Sequence, residues 1–326
     1  MTIKKGKGIV LLLVLSALFS SLVFAQGASE TTGGVTFPTR EVRILVPFAA
    51  GGSSDLTARI VAKIINENDL LSKNVVVINM PGGGTRECLE EVLRSRPDGH
   101  TLLLHHNGVN TMNVLGQIPM NYKDFTPIAQ VIDFPFVVMG GQSSDLQDYL
   151  DQAMANPGQV RAGVPAIGGV AHFAMAYALK ELGMADKIRV IGFQGGAQAK
   201  LAQLSGNIEM RSAVSPEAIG YEGLDNENPL IVLSKERLSY LPNVPSVGDY
   251  GIENGFSLMT GVWGPPGIPE DVVSILVDVL KKVTENPEFK EYASNNWSNV
   301  TFRTPEEYAK VMETDFQINS KLVASI

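Results

Sequence analysis

Residues 42–46 (Val-Arg-Ile-Leu-Val) form a short apolar run that leads through Pro47-Phe48-Ala49-Ala50 into Gly51-Gly52. Ser53, Ser54 and Asp55 follow at once, with Leu56, Ile60 and Ile64 at helical spacing. A strand, a glycine turn and a helix start thus occupy one stretch, and the same order of events returns along the chain. β-rich runs at 74–79, 101–104, 135–139, 160–163, 189–193, 208–214, 230–233 and 259–263 are interleaved with helical stretches at 55–66, 85–94, 145–155, 169–182 and 196–205. Helices at 269–285 and 304–322 end the chain. Such alternation confines the fold class to α/β, with mostly parallel sheets covered by helices on both faces. Several runs are apolar throughout, as strands buried on both faces are.

In an open α/β sheet the ligand lies beyond the carboxyl ends of the strands, and glycine concentrates there in this chain. Gly51-Gly52 follows 42–46, Pro81-Gly82-Gly83-Gly84 follows 74–79, Gly163 to Gly169 follows 160–163, and Gln194-Gly195-Gly196 follows 189–193. Glycine lets the backbone bend sharply and leaves no Cβ against a ligand. A helix opening on such a turn offers unpaired N–H groups and the positive end of its dipole, which suits an oxyanion. One such turn is compatible with a purely structural junction. Four at equivalent strand ends point to a cleft lined by backbone.

The chain has 326 residues, 44% hydrophobic and 18% charged, which is a globular composition with room for two domains. Lys4, Lys5 and Lys7 precede the apolar run 9–19 and then Val23-Phe24-Ala25. This is the pattern of a secretory signal, with cleavage expected after Ala25 and a flexible leader over 26–36. The opposing reading is a retained anchor, for which the apolar run sits at the short end. Cleavage removes three lysines and no acid, moving the formal charge from −8 to −11. An acidic surface argues against nucleic acid as partner. No second long apolar segment follows, so a soluble periplasmic protein is expected. The single Cys88 cannot form an internal disulfide and is expected to be a small packed side chain.

An ordered series of motifs resembles the extracytoplasmic solute receptors of tripartite tricarboxylate transporters, the Bug receptors. It begins at Phe37-Pro38 and runs through Val46-Pro47-Phe48-Ala49-Ala50-Gly51-Gly52-Ser53-Ser54-Asp55 to Asn79-Met80-Pro81-Gly82-Gly83-Gly84. Pro97-Asp98-Gly99, Asp124-Phe125-Thr126-Pro127, the 163–169 turn with His172, and Phe193-Gln194-Gly195 come next. Leu241-Pro242-Asn243-Val244-Pro245 and Gly264-Pro265-Pro266-Gly267 complete the series. The resemblance implies a two-domain periplasmic binding fold, with residues 37–136 plus 257–326 in one domain and 137–256 in the other. The ligand is then expected between them. One wall would be Phe48, Ala49, Gly51, Gly52, Ser53, Ser54 and Asp55, with Gly83, Gly84, Thr85 and His106. The opposite wall would be Gly163, Val164, Ala166, Gly168, Gly169 and Val170, with Gln194, Gly195, Arg211 and Ser212. The resemblance further implies a small carboxylate as ligand, hinge closure, no cofactor, no bound metal, a monomer, and delivery to one large and one small integral membrane subunit.

The chain departs from that family in ways that bear on the ligand. Many members carry a serine-rich turn where this chain has Val164-Pro165-Ala166-Ile167, so a drier and more apolar cleft is expected. An aspartate common in the family is Ala213 here, while Gln194, Arg86 and Cys88 replace other usual residues.

Individual residues carry competing readings. Asp55 is expected to order its own turn rather than face an anion that it would repel. His105 and His106 are adjacent on a strand and are expected to point to opposite faces, which disfavours a shared metal. His172 reads as a cap partner or packed residue, and also as the likeliest pH-sensitive group of its turn. Arg211 is either a bidentate clamp for a carboxylate or a surface arginine paired with Glu209 or Glu217. No nucleophile elbow, zinc-protease helix or phosphate loop occurs. A receptor that binds without turnover is therefore expected. The alternatives are a ligand sensor for a signalling kinase and an exported α/β hydrolase.

Overall fold

The structure, a computed structural model, describes residues 36–143, 145–218 and 226–323. The expected secretory segment 1–25 and the leader up to residue 35 lie outside these residues. The first half supplies strands β1 (Val42–Val46), β2 (Val75–Asn79), β3 (Thr101–His106), β4 (Thr126–Gly140) and β5 (Arg161–Val164). The second half supplies β6 (Arg189–Gly192), β7 (Met210–Val214), β8 (Asn228–Val232), β9 (Ser257–Gly264) and β10 (Asn299–Arg303). Helices α1 (Ser53–Glu67), α2 (Arg86–Arg94), α3 (Gly108–Val114), α4 (Leu146–Ala155) and α5 (Val170–Glu181) precede α6 (Gly196–Leu204), α7 (Glu270–Glu285), α8 (Pro287–Asn295) and α9 (Pro305–Val323).

Two sheets share β4. In the first, β2-β1-β3 run parallel, and β9, β4 and β10 continue antiparallel. In the second, β7-β5-β6 run parallel, with β4 antiparallel to both β7 and β8. The α/β class agrees with the sequence, but the sheets are mixed rather than mostly parallel. The reason is connectivity: β4 and β9 carry the chain from one sheet to the other and back, so antiparallel pairs join the parallel ones.

The sequence marks only 135–139 of β4, whereas the strand is 15 residues long. Pro127 and Pro135 interrupt its pattern, since proline donates nothing to a ladder. Pro135 is the last residue paired with β9, opposite Ser257, and Phe136 is the first paired with β7, opposite Val214. The strand therefore changes sheet at this proline. Leu233 N donates to Phe136 O at 2.7 Å and Phe256 N to Leu233 O at 2.6 Å, tying the crossing segments together.

β1 lies between β2 and β3, and Val42, Ile44, Leu45 and Val46 are each at most 2% exposed. Helical periodicity does the rest. In α7, Val272, Leu276, Val279, Leu280 and Val283 form one buried stripe. In α9, Thr304 and Glu307 cap reciprocally, the Thr304 N–H meeting Glu307 Oε2 at 2.9 Å. Cys88 is buried, and burial pushes its thiol up to about 12. Among the described residues no helix is long and apolar enough to cross a membrane.

Candidate ligand-binding site

The first glycine turn is built around Asp55. Gly51 has φ +89°, a left-handed value at which a side chain is strained, and its N–H donates to Asp55 Oδ2 at 2.8 Å. Asn79 Nδ2 donates to Asp55 Oδ1 at 2.9 Å, and Arg59 Nε lies 2.9 Å from the same oxygen. Burial by itself raises the Asp55 pKa, but the Arg59, Gly51 and Asn79 donors outweigh it and hold the carboxyl below its ordinary range. Asp55 is 1% exposed and orders the turn. Gly52, with φ −78° and ψ 166°, precedes α1 and supplies no side-chain cap, so the first N–H groups of α1 lack a side-chain partner there. Of the two glycines, only Gly51 is left-handed.

Thr85, before α2, also adopts a left-handed conformation with φ 75°. Such a conformation costs a non-glycine residue on the order of 1–3 kcal/mol and gathers at functional sites. Its hydroxyl donates to Met112 Sδ at 3.8 Å. The expectation that His105 and His106 point to opposite faces is not met. Their rings lie 4.7 Å apart, and Phe48 stacks on His106 at 5.0 Å with planes 12° apart. His106 ends its strand, so the chain turns into α3 and the ring folds back. Burial pushes the His106 imidazole down to about 4, and burial, helped by the neighbouring His106, holds His105 well below the ordinary imidazole range.

The second wall repeats the first. Gly168 has φ +79°, and its N–H donates to His172 Nδ1 at 3.0 Å. Gly169, with φ −81° and ψ 166°, precedes α5, again without a side-chain cap. Burial lowers the His172 pKa, in keeping with its role as acceptor. At α6, Gln194 N–H donates to Gln198 Oε1 at 3.1 Å, and Gly195 has φ +105°.

Between the walls lies a cavity of about 300 Å³. It brings together Phe48, Thr85 and His106 with Ala166, Gly168, Gly169 and Val170, all expected from the sequence. It includes Ile167, part of the apolar turn expected in the cleft, and adds Gly108, Thr111, Met112 and Gln117, which the sequence reading missed. Asn107-Gly108 at the carboxyl end of β3 was the available sign, a turn dipeptide at the same station as the other glycine turns. Among the described residues no lysine, arginine, aspartate or glutamate lines the cavity.

Several expected residues stand elsewhere. Ala49, Gly51, Gly52, Gly83, Gln194 and Gly195 in the turns, and Ser53, Ser54 and Asp55 at the start of α1, are not in the cavity lining, and the expected Gly84 lies outside the residues whose burial is described. Gly163 and Val164 are strand residues inside the core, where a Cβ on Gly163 would come within 2.4 Å of Ile208 Cδ1. Arg211 is neither an exposed arginine nor a cavity residue. It is 1% exposed, its Nη2 donates to Glu227 Oε2 at 3.1 Å, and Glu217 lies 4.0 Å away. Glu209 pairs with Arg161 instead, at 2.6 Å. Ser212 is likewise buried. A period-2 pattern with both faces covered gives no sign of which residue is enclosed.

A second cavity, of about 350 Å³, lies where β4 changes sheet, and Asp133, Lys235, Glu253, Arg303 and Asp315 are among its lining. Asp315 accepts from Asn107, Asn110 and Asn319 amides at 2.8, 2.9 and 3.0 Å, and burial pushes its carboxyl up to about 7. Asp133 accepts from Ser257 Oγ at 2.6 Å, and Arg303 Nη1 donates to Gln130 Oε1 at 2.5 Å. The smaller cavity has the features of a ligand site: it sits at strand carboxyl ends, is largely apolar and has few polar groups. Among the described residues no group of three His, Cys, Asp or Glu could hold a metal.

The comparisons agree with this architecture. A UPF0065 protein of Bordetella pertussis is 28% identical over 275 residues, covering 82% of this chain and 84% of that protein. Protein BugT of the same organism is 27% identical over 302 residues, covering 90% and 91%. A TctC solute binding protein from Polaromonas has the same fold, with a TM-score of 0.79 at 23% identity over 89% of this chain and 100% of that one. So have MatC of Rhodopseudomonas palustris with bound malate (TM-score 0.69, 22% identity, 88% and 100% covered) and another R. palustris protein with adipate (0.72, 20%, 89% and 98%). Residues 57–326 match the family described as the tripartite tricarboxylate transporter family receptor, and the chain belongs to that family.

Proposed function

We propose that this receptor is exported, captures a small carboxylate with a substantial apolar body between two hinged lobes, and delivers it to the membrane subunits of a tripartite transporter without chemical turnover. The lobes are residues 37–136 plus 257–326 and residues 137–256, meeting where β4 changes sheet. One observation carries the reading: a largely apolar cavity, with no charged side chain among its described lining residues, is bordered by Phe48 ahead of the first glycine turn and by Gly168-Gly169, the turn that opens α5 without a side-chain cap. Helix N-termini attract a carboxylate through their N–H groups and dipoles. Phe48, Met112, Ile167 and Val170 suit an apolar body. Malate and adipate in proteins of this fold are in keeping with a small acid, and adipate with an apolar chain. A hydroxyl-rich acid such as citrate would leave polar groups without partners, at about 1–3 kcal/mol for each.

A thermal-shift and calorimetric screen over hexanoate, adipate, benzoate, citrate, hexanamide and glucose tests the reading. Apolar acids should stabilise the protein most. Stronger stabilisation by citrate, or by the amide or sugar over every acid, overturns it. Co-purification of the membrane subunits with tagged receptor distinguishes delivery to a transporter from presentation to a sensor kinase.

A further inference from the structure

His106 is held in one orientation and one tautomer. Its Nδ1 lies 2.9 Å from the Gly108 N–H, which can only donate, so Nδ1 carries the lone pair and the ring proton of the neutral imidazole sits on Nε2. Gly108 makes this seat possible through what it lacks. A Cβ there would come within 2.5 Å of His106 Cε1 and 2.7 Å of Nδ1. Phe48 stacks on one face of the ring and His105 meets it edge-on, so the imidazole cannot turn over without disturbing both. The ring lines the 300 Å³ cavity, and Nε2 makes no hydrogen bond within the described residues. The other polar side chains of the lining, Thr85, Thr111 and Gln117, are uncharged.

We infer that His106 is a specificity-determining residue of this receptor, a fixed neutral Nε2–H donor that selects a carboxylate oxygen seated beside an apolar body and discriminates against acids that carry an ammonium group next to the carboxylate. The inference rests on the carboxylate reading of the cavity and deepens it. A tautomer with Nδ1 committed to Gly108 has no acceptor for a ligand N–H. An α-ammonium brought into this lining would therefore be desolvated beside a donor, with no carboxylate to meet it. The deaminated acid of the same shape loses nothing. The expected preference is for 3-phenylpropionate over phenylalanine.

The test uses the full chain, ¹⁵N-labelled, with 3-phenylpropionate and phenylalanine as probes. At neutral pH the His106 resonances should report a protonated Nε2 and an unprotonated Nδ1 before any ligand is added, and Nε2–H should shift on addition of 3-phenylpropionate. His106→Phe keeps the stack and removes the donor, so it should weaken 3-phenylpropionate by about ten- to a hundredfold, the value of a hydrogen bond to a charged group. His106→Gln, which can place an amide donor near the same point, should recover part of that loss. An Nδ1–H tautomer, equal affinity in His106→Phe, or phenylalanine bound as tightly as its deaminated analogue overturns the inference while leaving the carboxylate reading intact. If the wild type binds neither probe and none of the screened acids, the carboxylate reading fails and takes the inference with it.

Discussion

Asp55 and His172 hold the same station in two different loop-to-helix junctions. Each accepts the N–H of the left-handed glycine four residues before it, Gly51 at 2.8 Å and Gly168 at 3.0 Å. Each glycine is followed by a second with nearly identical dihedrals, φ −78° and ψ 166° at Gly52 against φ −81° and ψ 166° at Gly169. A carboxylate and an imidazole thus do one job. Both hold the N–H of a left-handed glycine, and in both junctions a glycine N-cap leaves the following helix without a side-chain cap.

Asp55→Ala removes the acceptor of Gly51, Asn79 and Arg59 at once. The expected loss is about 2–4 kcal/mol in urea unfolding. Because the folded pKa is lowered, the contribution is present above the unfolded value of 3.8 and lost as pH falls through the folded value. Wild type and variant should therefore converge in stability under strong acid. A constant difference at every pH refutes the assignment.

The two glycines of the first turn should respond differently to alanine. Gly51→Ala meets no atom within 4 Å but must adopt φ +89°, so about 1 kcal/mol or more of stability should be lost. Gly52→Ala has an ordinary φ and only the Ala49 carbonyl at 3.7 Å, so the fold should tolerate it. Melting temperatures of the pair decide the matter, and an equal drop in both contradicts the dihedral argument.

Buried titrating groups should pull stability in opposite directions between about pH 4 and 7. His105, His106 and His172 have lowered pKa values, so acidification below the unfolded 6.5 destabilises the fold. Asp315 is raised to about 7, so its contribution is complete below the unfolded 3.8 and is lost as pH rises through the folded value. Asp315→Asn should therefore steepen the fall in stability on acidification from neutral pH. An unchanged pH profile rules out the raised carboxyl.

Arg211 and Glu227 form a pair with both side chains at most 1% exposed. Arg211→Met leaves a buried carboxylate and should cost about 3–5 kcal/mol. The double variant with Glu227→Gln should recover much of that. Ligand affinity measured on the folded fraction should change little, whereas a large affinity loss in the double variant would restore Arg211 as a ligand clamp.

Local residue choice alone determined much of this protein. Apolar runs, helix-opening residues and glycine turns at the strand ends specify an α/β fold and a cleft at those ends, because each is a property of a few neighbouring residues. The motif order from Phe37 onward carried the family. Phe48, Thr85, His106 and the 166–170 turn were legible for the same reason. Tertiary structure decided the rest. β4 stayed half hidden because Pro127 and Pro135 interrupt its pattern, although partners on both sides hold it extended. Met112 and Gln117 read as ordinary residues until the fold brought them against Ala166–Val170. Arg211 looked available because strand alternation does not say what covers a face, and Glu227, 16 positions on, covers it. Which nitrogen of His106 holds its proton depends on the Gly108 N–H and on a ring stacked from Phe48, 58 positions earlier in the chain. Contacts between distant segments are made by the fold, and no local pattern encodes them.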